Sequence, residues 1–315
     1  GGNISFKVDR SSIRQGNAVI AIKDVSDAIL WSWHVWVTDE DINNVIEITN
    51  HQNVKYNFMP VNLGQCDGNT ITYEERSCKV KFIAGDQSKE ITIKQLANVI
   101  ATGSNAPFYQ WGRKDPLYPS NGMGNTTKIW YDKEGIPSTA NPMKGTFSAG
   151  NDCIKNCILN PNLMHNRYNG DYTYYNLWSA DNKTTSANDN PVNKTIYDPC
   201  PVGFKLPASN AFTGFTTTGE SVSSSTQVNG TWSSSEKGWY FYTNSEKTQS
   251  IFFPALGYRS YSTMRPGSIG TQGCFWSAHP VAKGNNYYLR TSSVDVQPTY
   301  MVDRGFGYAL RPCQD

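Results

Sequence analysis

The opening residues alternate apolar and polar positions with period two. Ile4-Ser-Phe-Lys-Val8 alternates, Arg14-Gln-Gly-Asn17 breaks the pattern, and Ala18-Val-Ile-Ala-Ile22 resumes it, which predicts strand, turn, strand. A third strand is expected over Ile29 to Val37. Within Trp31-Ser-Trp-His-Val-Trp-Val37 the alternation puts Trp31, Trp33, Val35 and Val37 on one face, and this face reads as core. Lys79-Val-Lys-Phe-Ile83 and Glu90-Ile-Thr-Ile-Lys94 flank the turn-rich Ala84-Gly-Asp-Gln-Ser88, and they predict a hairpin with one wet side. After Gly103 the pattern turns irregular, with long loops and one helix expected near Asn151 to Leu159. Short aromatic strands are expected at Gly238 to Thr243, Ser250 to Pro254, Gly273 to Ser277, Tyr287 to Thr291 and Phe306 to Arg311. A β-rich α+β fold follows.

Composition narrows the setting. Charged residues make up only 17% of the chain and aromatics 13%, with 18 Tyr and 9 Trp. The charge deficit is filled by Asn, Ser, Thr, Tyr and Gly, which reads as the polar, weakly charged surface of an exported protein. A net charge of +2 over 315 residues sets up no field that would select nucleic acid or an anionic membrane. No stretch approaches the roughly 20 apolar residues of a membrane span. The opening Gly1-Gly2-Asn3 reads as a processed or cloned start, with any export signal or lipid anchor removed from view.

Several segments resemble the Fibrobacter succinogenes major paralogous domain, a family grouped with C-type-lectin-like folds. They are Asn57-Phe-Met-Pro-Val-Asn-Leu-Gly64, Phe108-Tyr-Gln-Trp-Gly-Arg-Lys-Asp115, Tyr197-Asp-Pro-Cys-Pro-Val-Gly-Phe-Lys-Leu-Pro207, Thr231-Trp-Ser-Ser-Ser235 and Gly305-Phe-Gly-Tyr-Ala-Leu-Arg-Pro-Cys313. Trp31 to Thr38 is similar to a segment that precedes the domain in fimbrial, or pilus-tip, adhesins of gut anaerobes. The resemblance implies a C-type-lectin-like domain with long loops over residues 57–315, a β-hairpin insertion at about 66–103, and a β-rich N-terminal segment, 1–56, packing on it. It implies a cell-surface adhesin, exported to the outer membrane or a fimbrium. Its partners would be other fimbrial subunits and a glycan or protein surface ligand. A structural surface lipoprotein or scaffold module, and a carbohydrate-binding module of polysaccharide uptake, are the alternatives. No cofactor is expected.

The cysteines number seven, so at least one lies outside any intrachain pair. The resemblance implies a disulfide between Cys200 and Cys313. Cys66 and Cys78 flank a Gly-Asn turn, and cross-strand pairing is expected of them; Cys274 is the expected odd thiol. Cys153 and Cys157 fall on one face of the expected helix, with His165 close behind, a set that offers zinc three ligands but implies no fourth. Helical geometry strains a bond between these two sulfurs, which favours thiols.

Calcium-dependent sugar binding needs carboxylate and amide oxygens shared by ion and sugar. Gln297-Pro298-Thr299 and Trp232-Ser233-Ser234 do not supply them, so a ligand would bind without calcium. The four histidines, His34, His51, His165 and His279, lie in unrelated contexts, and no nucleophile elbow, zinc-protease or phosphate-loop motif occurs. No enzyme is expected. Function then rests on aromatic clusters with amide neighbours, above all Tyr172, Tyr174, Tyr175 and Trp178, whose loop is rich in Asn and Gly and expected to be exposed.

Overall fold

The segment Gly307 to Gln314 meets both halves of the protein. Gly307–Tyr308 pairs antiparallel with Tyr109–Gln110, and Cys313 pairs with both Lys205 and Phe58. Ala309 bridges to Phe275 between them. In this computed structural model the described residues are 5–66, 71–100, 106–117, 130–131, 137–138, 144–145, 151–165, 174–281 and 284–315.

The described architecture is β-rich, built from several small, mostly antiparallel sheets. Ile46–Thr49, Lys55–Phe58, Cys313–Gln314 and Phe204–Lys205 form one four-stranded sheet; Tyr109–Gln110, Gly307–Tyr308, Tyr258–Arg259 and Pro266–Gly267 form another. Two three-stranded meanders follow in sequence, Gly230–Ser233 with Gly238–Tyr242 and Ser250–Pro254, then Gly273–Pro280 with Asn285–Thr291 and Val296–Asp303. The aromatic strands anticipated in the last third are therefore present, within a few residues of their expected bounds. So is the helix, Asn151–Leu159. Asp152 in its first turn suits the positive end of the helix, and Pro161, which has no N–H, follows its last turn. No helix among the described residues is long and apolar enough to cross a membrane.

Two cores result. One is built on phenylalanine: Phe58, Phe212, Phe215, Phe241, Phe253 and Phe275 have no exposed surface. Phe215 stacks on Phe241 with centroids 3.9 Å apart and planes within 5°. The other is built on Trp and Tyr, around Trp111, Trp178, Trp276, Tyr109, Tyr288 and Tyr308. These rings carry polar edges that must be paired when buried. Accordingly Trp276 Nε1 donates to Tyr109 O at 2.8 Å and Trp178 Nε1 to Tyr197 O at 3.0 Å.

Arg311 lies where the cores meet. Its guanidinium, 1% exposed, donates to Asn62 Oδ1 at 2.7 Å, Met59 O at 3.2 Å, Pro60 O at 2.8 Å and Phe252 O at 2.7 Å. It also stands 4.4 Å from the Phe253 ring centroid. Burial pushes its pKa down to about 9, and it stays charged at neutral pH.

The N-terminal hairpin corrects two expectations. Residues 5–9 form no strand; Asp9 caps a short 3-10 turn at Arg10–Ser12 by accepting from Ser11 N at 2.9 Å. Gly16–Lys23 pairs with Ile29–Val37 as foreseen, but the face carrying Ser32, His34 and Trp36 turns towards the body while Trp33 is 42% exposed. The body offers polar partners there. Ser32 Oγ reaches Asp115, Tyr109 Oη meets His34 Nδ1 at 2.9 Å, and Trp36 Nε1 donates to Gln65 O at 2.9 Å. Trp31 on the opposite face still touches the body, 6.3 Å from the Tyr197 ring.

Arg76–Ala84 and Gln87–Gln95 form the anticipated hairpin, closed by Ala84 opposite Gln87. Cys78 lies across from Ile93 in it, not across from Cys66. Cys66 sits instead beside Asn17 and the Gly64 carbonyl. Neither the expected Cys66–Cys78 nor the expected Cys200–Cys313 disulfide is formed. Cys200 and Cys313 are buried side chains of the cores. Burial raises both pKa values, that of Cys313 to about 12, so both stay protonated.

Two outcomes follow from this packing. Arg311→Lys leaves several of the four acceptors unpaired in the interior, and a loss of about 2–4 kcal/mol is expected in urea unfolding; a loss below about 0.5 kcal/mol contradicts the bridging role. Acid provides the second. Burial pushes His279 and His34 down to about 4 from the ordinary 6.5. Between pH 6.5 and 4 the unfolded chain therefore binds more protons than the folded one. Stability is complete above 6.5 and falls as pH drops towards 4, by up to about 1.4 kcal/mol per pH unit for each histidine. His279, with no exposed surface, carries more of it than half-buried His34. Denaturation midpoints that match at pH 7 and pH 5 count against neutral, buried imidazoles.

Candidate functional site

The helix Asn151–Leu159 leaves Ile154, Ile158 and Leu159 half-buried on its outer side and buries Cys153 on its inner side. Facing the outer side are the segment 174–180 and residues 195–197, and together they enclose a groove of about 490 Å³. Ile154, Ile158 and Leu177 form its apolar wall; Tyr174, Tyr197, Asn176, Thr195 and Lys155 supply its polar groups. The far wall is held by pairing. Ala180 N donates to Asn193 O at 2.8 Å, Ser179 bridges to Lys194, and Thr195 Oγ1 donates to Leu177 O.

Beneath this groove, and sharing Ile154, Ile158, Leu177 and Tyr197 with it, lies a chamber of about 20 Å³ lined by Gly112, Arg113, Lys114, Asp115 and Cys157. Gly112 is required here. Its φ is +81°, and a Cβ would stand 2.4 Å from Leu177 Cδ1. Closing the turn on Leu177 in this way places three consecutive charged side chains under the groove.

These charges are spent internally. Lys114 Nζ and Asp115 Oδ2 form an ion pair at 2.6 Å, with the two side chains 8% and 1% exposed. Lys114 also donates to Ser32 O at 2.9 Å and lies 4.5 Å from the Trp31 ring centroid. Asp115 accepts from Ser32 Oγ at 2.9 Å. Burial lowers the Lys114 pKa, and the Asp115 carboxylate acts in the opposite direction. The cluster fastens the N-terminal hairpin to the floor of the groove. Arg113 donates to Leu163 O and Pro161 O, the chain just after the helix. Gln110 clamps His165 on both sides, accepting from His165 N at 3.0 Å and donating to His165 O at 2.8 Å.

The structure separates the aromatic residues singled out from sequence. Tyr174 lines the groove. Tyr175 is half-buried beneath Arg304, whose guanidinium carbon is 5.5 Å from its ring. Trp178, expected to be exposed, has no exposed surface and packs 5.5 Å from Trp111. Its neighbour Asn176 lines the groove, while its own indole satisfies the Arg113 and Tyr197 carbonyls. Tyr172 lies outside the described residues. Tyr197, which lines the groove together with Tyr174, was visible only as part of the Tyr197–Pro207 segment and carried no aromatic cluster to mark it. Among the described residues no three His, Cys, Asp or Glu side chains converge as a metal site. Comparison with protein-family models, with curated proteins and with solved structures found no match for this chain.

The ion pair gives a direct test of how the floor is built. Asp115→Ala strands a buried ammonium, and an unfolding loss of about 3–5 kcal/mol is expected, more than for the double replacement Lys114→Met with Asp115→Ala, which removes both charges together. The reverse ranking in parallel denaturation curves contradicts the account.

Proposed function

We propose that this chain is a calcium-independent adhesin with a C-type-lectin-like body, a tip or tip-proximal subunit of a fimbrium, and that the groove between the helix and segment 174–180 receives its surface ligand. The observation that carries the reading is the groove lining: two tyrosines, Tyr174 and Tyr197, set among Asn176, Thr195 and apolar helix side chains. Aromatic faces accept the C–H faces of a sugar ring while amide and hydroxyl groups satisfy its hydroxyls, and the same mixture suits a protein ligand. The weakly charged, amide-rich surface and the resemblance of residues 57–315 to adhesin domains support the same reading.

A structural role in a surface assembly is the second reading. It draws on the hairpin 76–95, where Ile83, Ile91 and Ile93 are 65%, 42% and 43% exposed. Single exposed apolar residues are ordinary, but three on one projecting ribbon suit a contact with another subunit.

A screen of the purified protein against glycans and mucin, with and without chelator, separates the two. Binding that resists chelator is expected, and Tyr174→Ala or Tyr197→Ala should weaken it about tenfold or more. Trp178→Ala should lower stability instead, since the indole is core. If nothing binds, or if binding survives both tyrosine substitutions, the groove is not the ligand site and the assembly reading gains.

A further inference from the structure

The groove floor contains a set of groups that the ligand reading leaves unused. Cys157 is half-buried and opens on the chamber beside Arg113 and Lys114. Behind it His165, 1% exposed, has neither ring nitrogen hydrogen-bonded, and Arg113 Nε also lacks a partner. A buried polar atom without a partner costs about 1–3 kcal/mol, so two such groups around one sulfur call for an explanation. An anionic sulfur supplies it. Three cationic or proton-donating side chains, from the turn at 112–115 and from the strand residue His165, converge on the one thiol that reaches the chamber.

We propose that Cys157 is a reactive thiol that captures one half of a small disulfide entering through the groove, forming a stable mixed disulfide. In this step the Cys157 thiolate attacks one sulfur of R–S–S–R, a new Sγ–S bond forms, the original S–S bond breaks, and its electron pair leaves on R–S⁻. Cys157 is oxidised, the departing half is reduced, and no proton is consumed.

The electrostatics agree with the geometry. The Cys157 pKa is held well below the ordinary thiol range, first by a hydrogen bond from Cys153, then by His165, with the Arg113 charge adding to it against the opposing cost of burial. Neither His165 ring nitrogen completes a hydrogen bond of good geometry, yet the imidazole is close enough to favour the thiolate. The groups facing the sulfur are Arg113, Lys114 and His165. Asp115 also lines the chamber, but it is engaged by Lys114 and Ser32. Cys153 lies one helical turn away. Closing a Cys153–Cys157 disulfide within a helix is strained, so the adduct persists instead of resolving. Elsewhere Cys200, Cys274 and Cys313 are buried with raised pKa values and make poor nucleophiles.

The experiment is site-resolved thiolation of the native full chain with 2-hydroxyethyl disulfide, read by peptide mass spectrometry across pH 5 to 9. The half-buried Cys78 in the hairpin serves as internal reference. At pH 6 Cys157 should be modified about tenfold faster than Cys78, its rate midpoint should lie well below the ordinary thiol value, and the adduct mass should remain on the peptide. In Cys153→Ala the midpoint should rise while thiolation continues. Equal or slower modification of Cys157 than of Cys78 at pH 6, or a midpoint near the ordinary value of about 8.5, overturns the proposal. Because it reads a covalent mass, it stands or falls separately from ligand binding in the groove.

Discussion

A guanidinium held almost wholly by carbonyl oxygens joins the two cores of this protein. Arg311 sits between Leu310, in the Trp and Tyr core, and Cys313, in the phenylalanine core. Its donors are divided between the chain at 59–62 and Phe252. A buried charge without a carboxylate is stable only where each donor finds an acceptor. Meeting that condition aligns strand 55–58, strand 250–254 and the terminal segment 307–314 at once. The pairing of Cys313 with both Phe58 and Lys205, and of Tyr308 with Tyr109, follows from that alignment. Tyr109 in turn leads into the turn at 112–115, so the floor of the groove inherits its position from an arginine in the terminal segment.

Periodicity made much of the secondary structure legible. The helix at 151–159, the hairpin at 76–95 and the aromatic meanders of the last third could be read because each has a clean repeat bounded by turn residues. What alternation could not reveal is which face of a strand is covered. In Ile29–Val37 the bulky indoles suggested one answer, and the partners waiting on the body, Asp115, Tyr109 and the Gln65 carbonyl, imposed the other. The cysteines misled for a related reason. Proximity in a pattern is not proximity of sulfurs, and Cys78 faces Ile93 because the hairpin register leaves Cys66 outside it.

The candidate site was legible only in part. Tyr174 was marked by its aromatic neighbours, but the groove is also lined by Ile154 and Ile158, which in a short helix look like core, and by Tyr197, isolated in sequence. The buried charges were invisible. Arg113, Lys114 and Asp115 form a charged triplet that composition assigns to solvent, and only the closed turn at Gly112 reveals why they point inwards. Cys157 and His165 attracted notice as a zinc set lacking a fourth ligand, and the structure places them side by side with no metal-ligating cluster among the described residues.

The bridge through residues 307–314 also has a consequence in time. Arg311 and its acceptors at 59 and 60 are about 250 residues apart along the chain, and the strands they align flank every other element between them. During synthesis, residues 307–314 emerge after everything they join. Neither core can be sealed before then, and contacts this distant in sequence close slowly. The cores thus stay open until residues 307–314 arrive.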